Sequence, residues 1–208
     1  MIYKAIRDLD FSVIVEAGGN TGVDTVKLCD MFPNATVHTF EPIPLLYEHI
    51  KSFNKNNLKL YNKALSDKNG KFDFYMDMNP EGLHGASSLL KASEHYKNYV
   101  GYEQKIKVDC TTLKSFMINE GVDVIDFMWL DIEQYEYKML KASEECLKKI
   151  KYLYTEINYS NFRDNQDSAE DLITLLEDNK FELLFLAPQG NPIRFSWQGN
   201  GLFLNRGL

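Results

Sequence analysis

Little in this sequence supports a basic, a disulfide-bonded or a membrane-spanning protein. Its 23 lysines and arginines are outnumbered by 30 aspartates and glutamates, for a net charge of −7. Without a basic field, nucleic acid and membrane surfaces are disfavoured as main partners, and a small molecule or a glycan fits better. Cysteine is scarce too. Cys29, Cys110 and Cys146 are far apart, odd in number and without C-x-x-C or Cys/His ligand spacing, which excludes a disulfide framework and a zinc site and predicts a reducing, cytoplasmic compartment. No stretch approaches the roughly 18 apolar residues of a membrane span. The opening MIYKAIRDLDF lacks the apolar core of a signal peptide. What remains is a chain of 208 residues, 44% hydrophobic and 13% aromatic, enough to bury one core and too short for two enzyme domains, so residues 1–208 are expected to form a single domain. Oligomeric state is not legible in these figures.

Apolar runs and helical patterns alternate along the chain. SVIVEA (residues 12–17) enters a glycine cluster, and VDTVKLCDMF follows with helical character up to Pro33. This reads as strand, tight loop, helix. ATVHTFEP (residues 35–42) is a second strand, and Leu46, His49, Ile50 and Phe53 share one face of a second helix. Further strand-like runs fall at residues 58–62, 72–76, 106–110, 124–131, 152–157 and 181–186, with GLFLN as the last. Tyr135, Met139, Ala142 and Cys146 mark another helix face, and Ser168-x-x-Asp171 resembles a capping box. The alternation predicts an α/β fold with a mostly parallel sheet and helices on both faces. FELLFLA and GLFLN are joined by a loop holding Pro188, Gly190, Pro192 and Gly199. That loop is too rich in turn residues for a crossover helix, so the final pair is expected to be antiparallel. Residues 77–104 break the rhythm with Pro80, two histidines and Tyr96, Tyr99 and Tyr102; they read as an insertion, either a lid over the active face or a cap on the sheet. The three tyrosines suit either a sugar platform or one buried helix face.

The residues richest in chemistry close the first strand: Glu16-Ala17-Gly18-Gly19-Asn20-Thr21-Gly22. Gly18 and Gly22 leave the backbone open to a bulky cofactor lying against the loop and the next helix, although a tight structural turn has the same composition. The spacing departs from the G-x-G-x-x-G of dinucleotide binders, with Asn20 at its centre. About 20 residues further on, Glu41 ends the second strand ahead of Pro42, where a carboxylate accepts both ribose hydroxyls of an adenosine and disfavours a 2′-phosphate.

Beyond these two signals, the chain resembles the FkbM-type methyltransferase family over nearly its whole length. The blocks that carry the likeness are VIVEAGGNTG, VHTFEP, YNKALSDKNGKFDFY, GASSLL, VDCTTLKSF, DFMWLDIEQYEYKMLKAS and YTEIN, in that order. The resemblance implies a Rossmann-like class I methyltransferase fold, with a seven-stranded, mostly parallel sheet and an antiparallel C-terminal hairpin, and S-adenosylmethionine as cofactor. It implies that Glu16, Gly18, Asn20 and Gly22, with Thr21 between them, line the amino-acid end of that cofactor. Glu41 and Pro42 would hold the ribose, Asn62, Ala64 and Leu65 would lie near adenine, and Ser87 and Ser88 would bond to cofactor or acceptor. Two blocks depart from the family. D-V-G-A-N appears as E-A-G-G-N, and the frequent D-V-E-G-x-E reads Asp131-Ile132-Glu133-Gln134-Tyr135-Glu136, with Gln134 at the place of glycine.

Methyl transfer from a sulfonium needs alignment and, for a hydroxyl acceptor, a base. Asp131, at the end of an apolar strand on the same sheet edge as the glycine loop, is the first candidate. Glu156, ending the next strand, and His84, in the insertion, follow. Asp131, Glu156 and Asn158 also have the chemistry to gather a divalent cation. The expected activity is O-methylation of a hydroxyl on a sugar or related polar metabolite. An NAD-linked oxidoreductase is the first alternative, opposed by Asn20 and the missing third glycine. A non-catalytic module that keeps the cofactor pocket is the second, and rests on Gln134.

Overall fold

The computed structural model describes residues 2–78, 85–94, 96–97, 102–189 and 198–208. In chain order the elements are α1 (Ile2–Ile6), β1 (Val13–Ala17), α2 (Val23–Met31), β2 (Thr36–Phe40), α3 (Pro44–Lys51), β3 (Leu58–Tyr61), β4 (Ala64–Leu65), β5 (Gly70–Met78), β6 (Tyr102–Thr111), α4 (Leu113–Glu120), β7 (Ile125–Leu130), α5 (Glu136–Lys141), α6 (Glu144–Leu147), β8 (Ile150–Asn158), α7 (Ala169–Asp178), β9 (Phe181–Gln189) and β10 (Gln198–Asn205).

Local chemistry starts several of the helices. Pro44 opens α3, where its fixed φ suits the first turn and its missing N–H costs nothing. The Thr112 hydroxyl accepts from the Ser115 amide at 3.1 Å and caps α4. Ser168 and Asp171 form the reciprocal capping box expected of their spacing, both bonds at 3.1 Å, at the start of α7.

Seven strands form one sheet in the order β3-β2-β1-β7-β8-β10-β9. β1, β2, β3, β7 and β8 pair in parallel, and β10 inserts antiparallel between β8 and β9. The parallel sheet and its antiparallel end are those the sequence predicts. Alternate residues serve the two faces. Val15, Ala17, Met128, Leu130 and Leu153 enter the core beneath α4, α5 and α7, whereas Ile14, Phe127 and Tyr154 pack with Ile2, Ile6, Phe11 and Phe32 on the side of α1 and α2. Central strands buried on both faces explain why VIV and DFMWL read as continuous apolar runs rather than alternating ones.

Two of the expected strands leave this sheet. Residues 72–76 and 106–110 lie in β5 and β6, which pair antiparallel, with β4 parallel to β6, as a separate three-stranded sheet. Within the insertion, the described segment 85–94 connects the two sheets. Ser88 pairs with Tyr75 of β5, and Ala92 forms a bridge to Arg163 beyond β8. Tyr96 sits in a turn with its ring 4.4 Å from that of Phe162, and so belongs to no helix face; Tyr99 lies outside the described residues, and the Tyr102 backbone opens β6. Among the described residues, no helix is long and apolar enough to cross a membrane.

Strand order reverses between β1 and β7, because β2 follows β1 outward on one side while β7 and β8 continue on the other. Loops leaving the carboxyl ends of these two strands diverge and leave a crevice. The strands meet at its floor. The Asp131 amide donates to Ala17 O at 3.0 Å, and a Cβ placed on Gly18, whose φ is +94°, would lie 1.9 Å from Asp131 O. Gly18→Ala should therefore combine overpacking with left-handed strain. The expected cost is roughly 3–5 kcal/mol, read as a melting temperature lower by about 10 °C.

Candidate active site

The loop after β1 folds toward the end of β2, since the Gly18 and Gly19 amides both donate to Phe40 O at 3.1 and 3.0 Å. Asn20 follows in a left-handed conformation, φ +46°. Its amide donates to Glu41 Oε2 at 2.7 Å, and the Ile43 amide donates to Glu41 Oε1 at the same distance. One carboxylate thereby ties together the loops after β1 and β2. Each oxygen keeps a further lone pair. Burial pushes the Glu41 carboxyl up to about 7, against the pull of those two N–H groups. Asn62 Nδ2 fixes the same corner by donating to the carbonyls of Glu41 and Pro42 at 2.9 and 3.1 Å.

These loops border a partly open crevice beyond the carboxyl ends of the strands, the usual place for a ligand in an open α/β sheet. Phe40, Ile43, Leu46, Ala64, Leu65 and Phe74 give it an apolar wall. Gly18, Asn20, Glu41, Asp131 and Glu133 give it a polar end, and Gly85, Ser87 and Leu89 of the insertion close one side. Asn20 Oδ1 is buried and, among the described residues, without a hydrogen-bond partner, which costs about 1–3 kcal/mol until a donor arrives. A carboxylate with spare lone pairs, an orphaned amide oxygen, a glycine that bares the backbone and an apolar wall together fit S-adenosylmethionine, which has a ribose diol, an ammonium group and a flat base.

The sequence-derived candidates divide between this cavity and its supports. Gly18, Asn20, Glu41, Pro42, Ala64, Leu65, Ser87 and Asp131 line it. Glu16 lies beneath the loop, where its Oε2 accepts from the hydroxyls of Thr25 and Thr39 at 2.6 and 2.7 Å. Gly22 faces Ile50 and Phe53, and Thr21 is half-buried outside the lining. Asn62 braces the corner. Ser88 is wholly buried and donates to the Glu133 carbonyl at 2.8 Å. Glu156 lines a smaller neighbouring recess with Glu136 and Asn158. His84 lies outside the described residues.

The acidic block after β7 makes a tight turn. Glu133 and Gln134 are both left-handed, at φ +57° and +68°, which costs roughly 1–2 kcal/mol for each non-glycine residue. Hydrogen bonds hold the turn. Glu136 Oε1 accepts from the Ile132 amide at 2.9 Å, and Gln134 Nε2 donates to Glu156 Oε2 at 3.1 Å. Asp131 is open to solvent in the crevice, so the upward push on its carboxyl comes from the surrounding walls and then from the Asp24 carboxylate. Burial, followed by Asp131, raises Glu156, with Gln134 and Arg163 opposing. Among the described residues, no three His, Cys, Asp or Glu side chains are placed to hold a metal ion. Sequence reasoning passes over Glu133, which lines the cavity, and Arg163, which reaches it through other residues. The first stands inside a recognised block; the second has no local signal.

Comparison with known proteins bears on this geometry. Residues 16–183 match the family model described as Methyltransferase FkbM domain. The 2-O-methyltransferase NoeI of Sinorhizobium fredii is 26% identical over 185 residues, covering 86% of this chain and 75% of its own. Among solved structures, magnesium protoporphyrin IX methyltransferase of Synechocystis PCC 6803 with bound SAM superposes with a TM-score of 0.53 at 10% identity, over 98% of this chain and 74% of that one. The N-terminal domain of EvdMO1 in the presence of SAH and D-fucose gives 0.52 at 10% identity, over 99% and 80%. At such identity the likeness is one of fold, that of the class I SAM methyltransferases.

Glu16 supplies a test of the buried floor. Burial raises its carboxyl from 4.5 to about 8, the two threonine hydroxyls and the neighbouring acids acting in opposite senses. The folded state thus holds a proton that the unfolded state releases, and stability falls as pH rises from about 4.5 to 8. Glu16→Gln keeps an acceptor for Thr25 and Thr39 and removes this share of the slope. Its melting temperature should fall several degrees less than that of the unaltered protein over that window.

Proposed function

The chain belongs to the FkbM methyltransferase family, and from that premise we propose that it transfers the methyl group of S-adenosylmethionine to a hydroxyl of a sugar or related polar metabolite. The observation that carries the donor is the pairing, in one cavity, of the orphaned Asn20 Oδ1 with the Glu41 carboxylate. The acceptor class is supported by the relative named a 2-O-methyltransferase and by a carboxylate exposed at the polar end of the crevice.

S-adenosylmethionine supplies a methyl group activated by a sulfonium, so the protein contributes alignment, exclusion of water and removal of one proton. Glu41 would accept from the ribose hydroxyls while its other lone pairs hold the Asn20 and Ile43 amides. Asn20 Oδ1 would accept from the ammonium group, and Ala64, Leu65 and Phe74 would cover the base. Asp131 takes the proton of the acceptor hydroxyl at its carboxylate, which is exposed at the polar end of the crevice. Glu156 holds the Gln134 amide from the adjoining recess. His84, the further candidate base from the sequence, lies outside the described residues; the described segment 85–94 borders the donor cavity within the single domain that we assign to residues 1–208.

Two measurements test this reading. Calorimetric titration with S-adenosylhomocysteine should give micromolar binding, on the order of −8 kcal/mol, with NAD as a silent control. Glu41→Gln, which preserves one acceptor oxygen, should weaken it by about tenfold or more. No binding by the unaltered protein would remove the donor. For the acceptor, radiolabelled methyl transfer is followed across hydroxyl-bearing saccharides. Asp131→Asn should lower kcat by about 10²-fold or more and leave S-adenosylhomocysteine affinity within about threefold. Turnover near that of the unaltered protein would strip Asp131 of its role.

A further inference from the structure

The segment 85–94 is fastened to the loop beyond β8 as well as to β5. The Ser93 amide donates to Phe162 O and the Asp164 amide to Lys91 O, each at 2.9 Å, on either side of the Ala92–Arg163 bridge. At the middle of this seam the Arg163 side chain has no exposure to solvent. Its Nη2 donates to the Ala86 carbonyl and lies 3.5 Å from Glu133 Oε2. Its Nε donates to Gln134 Oε1 at 3.3 Å, and Gln134 passes the connection to Glu156. Ala86 stands between Gly85 and Ser87, which line one side of the cavity, and Glu133 lines another. Arg163 itself is absent from the lining.

We propose that Arg163 is a positioning residue of the donor cavity, joining the 85–94 segment to the left-handed turn at Glu133 and Gln134 so that two of the cavity's walls move as one. A buried guanidinium is costly unless its donors are satisfied, and among the described residues its bonds reach two different segments, Ala86 on one side and Glu133 and Gln134 on the other. The consecutive left-handed residues at 133 and 134 point the same way, since backbone of that kind persists only where its surroundings hold it. Gln134 offsets its conformation with two contacts that a glycine lacks, one to Arg163 and one to Glu156. The planar fork is essential. A lysine at 163 carries the charge to Glu133 but presents no second, fixed nitrogen for the Gln134 amide.

Arg163→Lys and Arg163→Met test the assignment, with three readouts: melting temperature, hydrogen exchange of the Ser88, Ser93 and Asp164 amides, and S-adenosylhomocysteine affinity. The affinity arm rests on the proposed donor; the exchange arm does not. Arg163→Lys should melt within a few degrees of the unaltered protein, yet exchange those three amides about tenfold faster and bind S-adenosylhomocysteine about tenfold more weakly, the worth of one charge-assisted bond. Arg163→Met should lose more on both readouts. Wild-type exchange and affinity in Arg163→Lys would overturn the proposal, because any buried cation would then suffice. Equal loss of protection across the β1, β7 and β8 amides would overturn it too, as the mark of a merely structural residue. Should the unaltered protein fail to bind S-adenosylhomocysteine, the donor reading falls and the exchange arm still decides the role of Arg163. If Arg163→Met does not fold, Arg163→Lys alone decides between these outcomes.

Discussion

Where β1 and β7 end, the backbone of Gly18 lies so close to the carbonyl of Asp131 that no side chain fits between them. The rest of the site depends on this contact. It brings the carboxyl ends of two parallel strands together at the point where strand order reverses, so the loops leaving them must diverge. It also turns the loop after β1 toward β2, where the Phe40 carbonyl takes both the Gly18 and the Gly19 amides. Asn20 is then delivered in a left-handed conformation with its amide on Glu41 and its side-chain oxygen buried without a partner among the described residues. A ligand donor at that position would satisfy a group that folding alone leaves unsatisfied, which is one way a site is prepared in advance of binding.

Around this floor the chain buries Glu16, Glu41 and Glu136 and half-buries Glu133 and Glu156, and hydroxyl, backbone amide, side-chain amide and guanidinium donors hold them. Glu16 has two threonine hydroxyls, Glu41 two backbone amides, and Glu136 one backbone amide. Glu156 has the Gln134 amide, and Glu133 the Arg163 guanidinium. Hydroxyls and backbone amides lower the cost of an ionised carboxylate without cancelling its charge, so burial still raises Glu16, Glu41 and Glu136 toward neutral pH. Of the three, Glu41 lines the cavity, whereas Glu16 supports the loop from beneath and Glu136 borders the neighbouring recess.

The departure of the acidic block from its family pattern has a structural meaning. A glycine at 134 would adopt the left-handed backbone freely. Gln134 adopts it under strain, and its amide links Arg163 on one side to Glu156 on the other. The turn is thus less permissive and better connected. Ser88 adds to the connection by donating to the Glu133 carbonyl while its own backbone pairs with Tyr75. The same few residues join the large sheet, the small sheet and the segment that borders the cavity.

Strand and helix periods, the glycine loop, the acid some 20 residues beyond it and the capping box of α7 are local signals, and each was legible because the interactions that create it fall within one element or one turn. The parallel sheet with an antiparallel end followed from those signals, since short turn-rich and long helical connections constrain strand direction. Their assembly was not legible. That β5 and β6 form a second sheet, that Glu16 supports the loop from below while Asp131 faces the crevice, and that Glu156 sits in a neighbouring recess all depend on which face of which strand meets which neighbour. Arg163 is the extreme case: its partners Ala86, Glu133 and Gln134 lie 77, 30 and 29 residues away. Sequence by itself determined the elements and the glycine loop because backbone propensity and hydrophobic period act over a few residues. Only the tertiary structure decided which buried charges are paired and which remain available, because that balance is struck between segments that meet after the chain has folded.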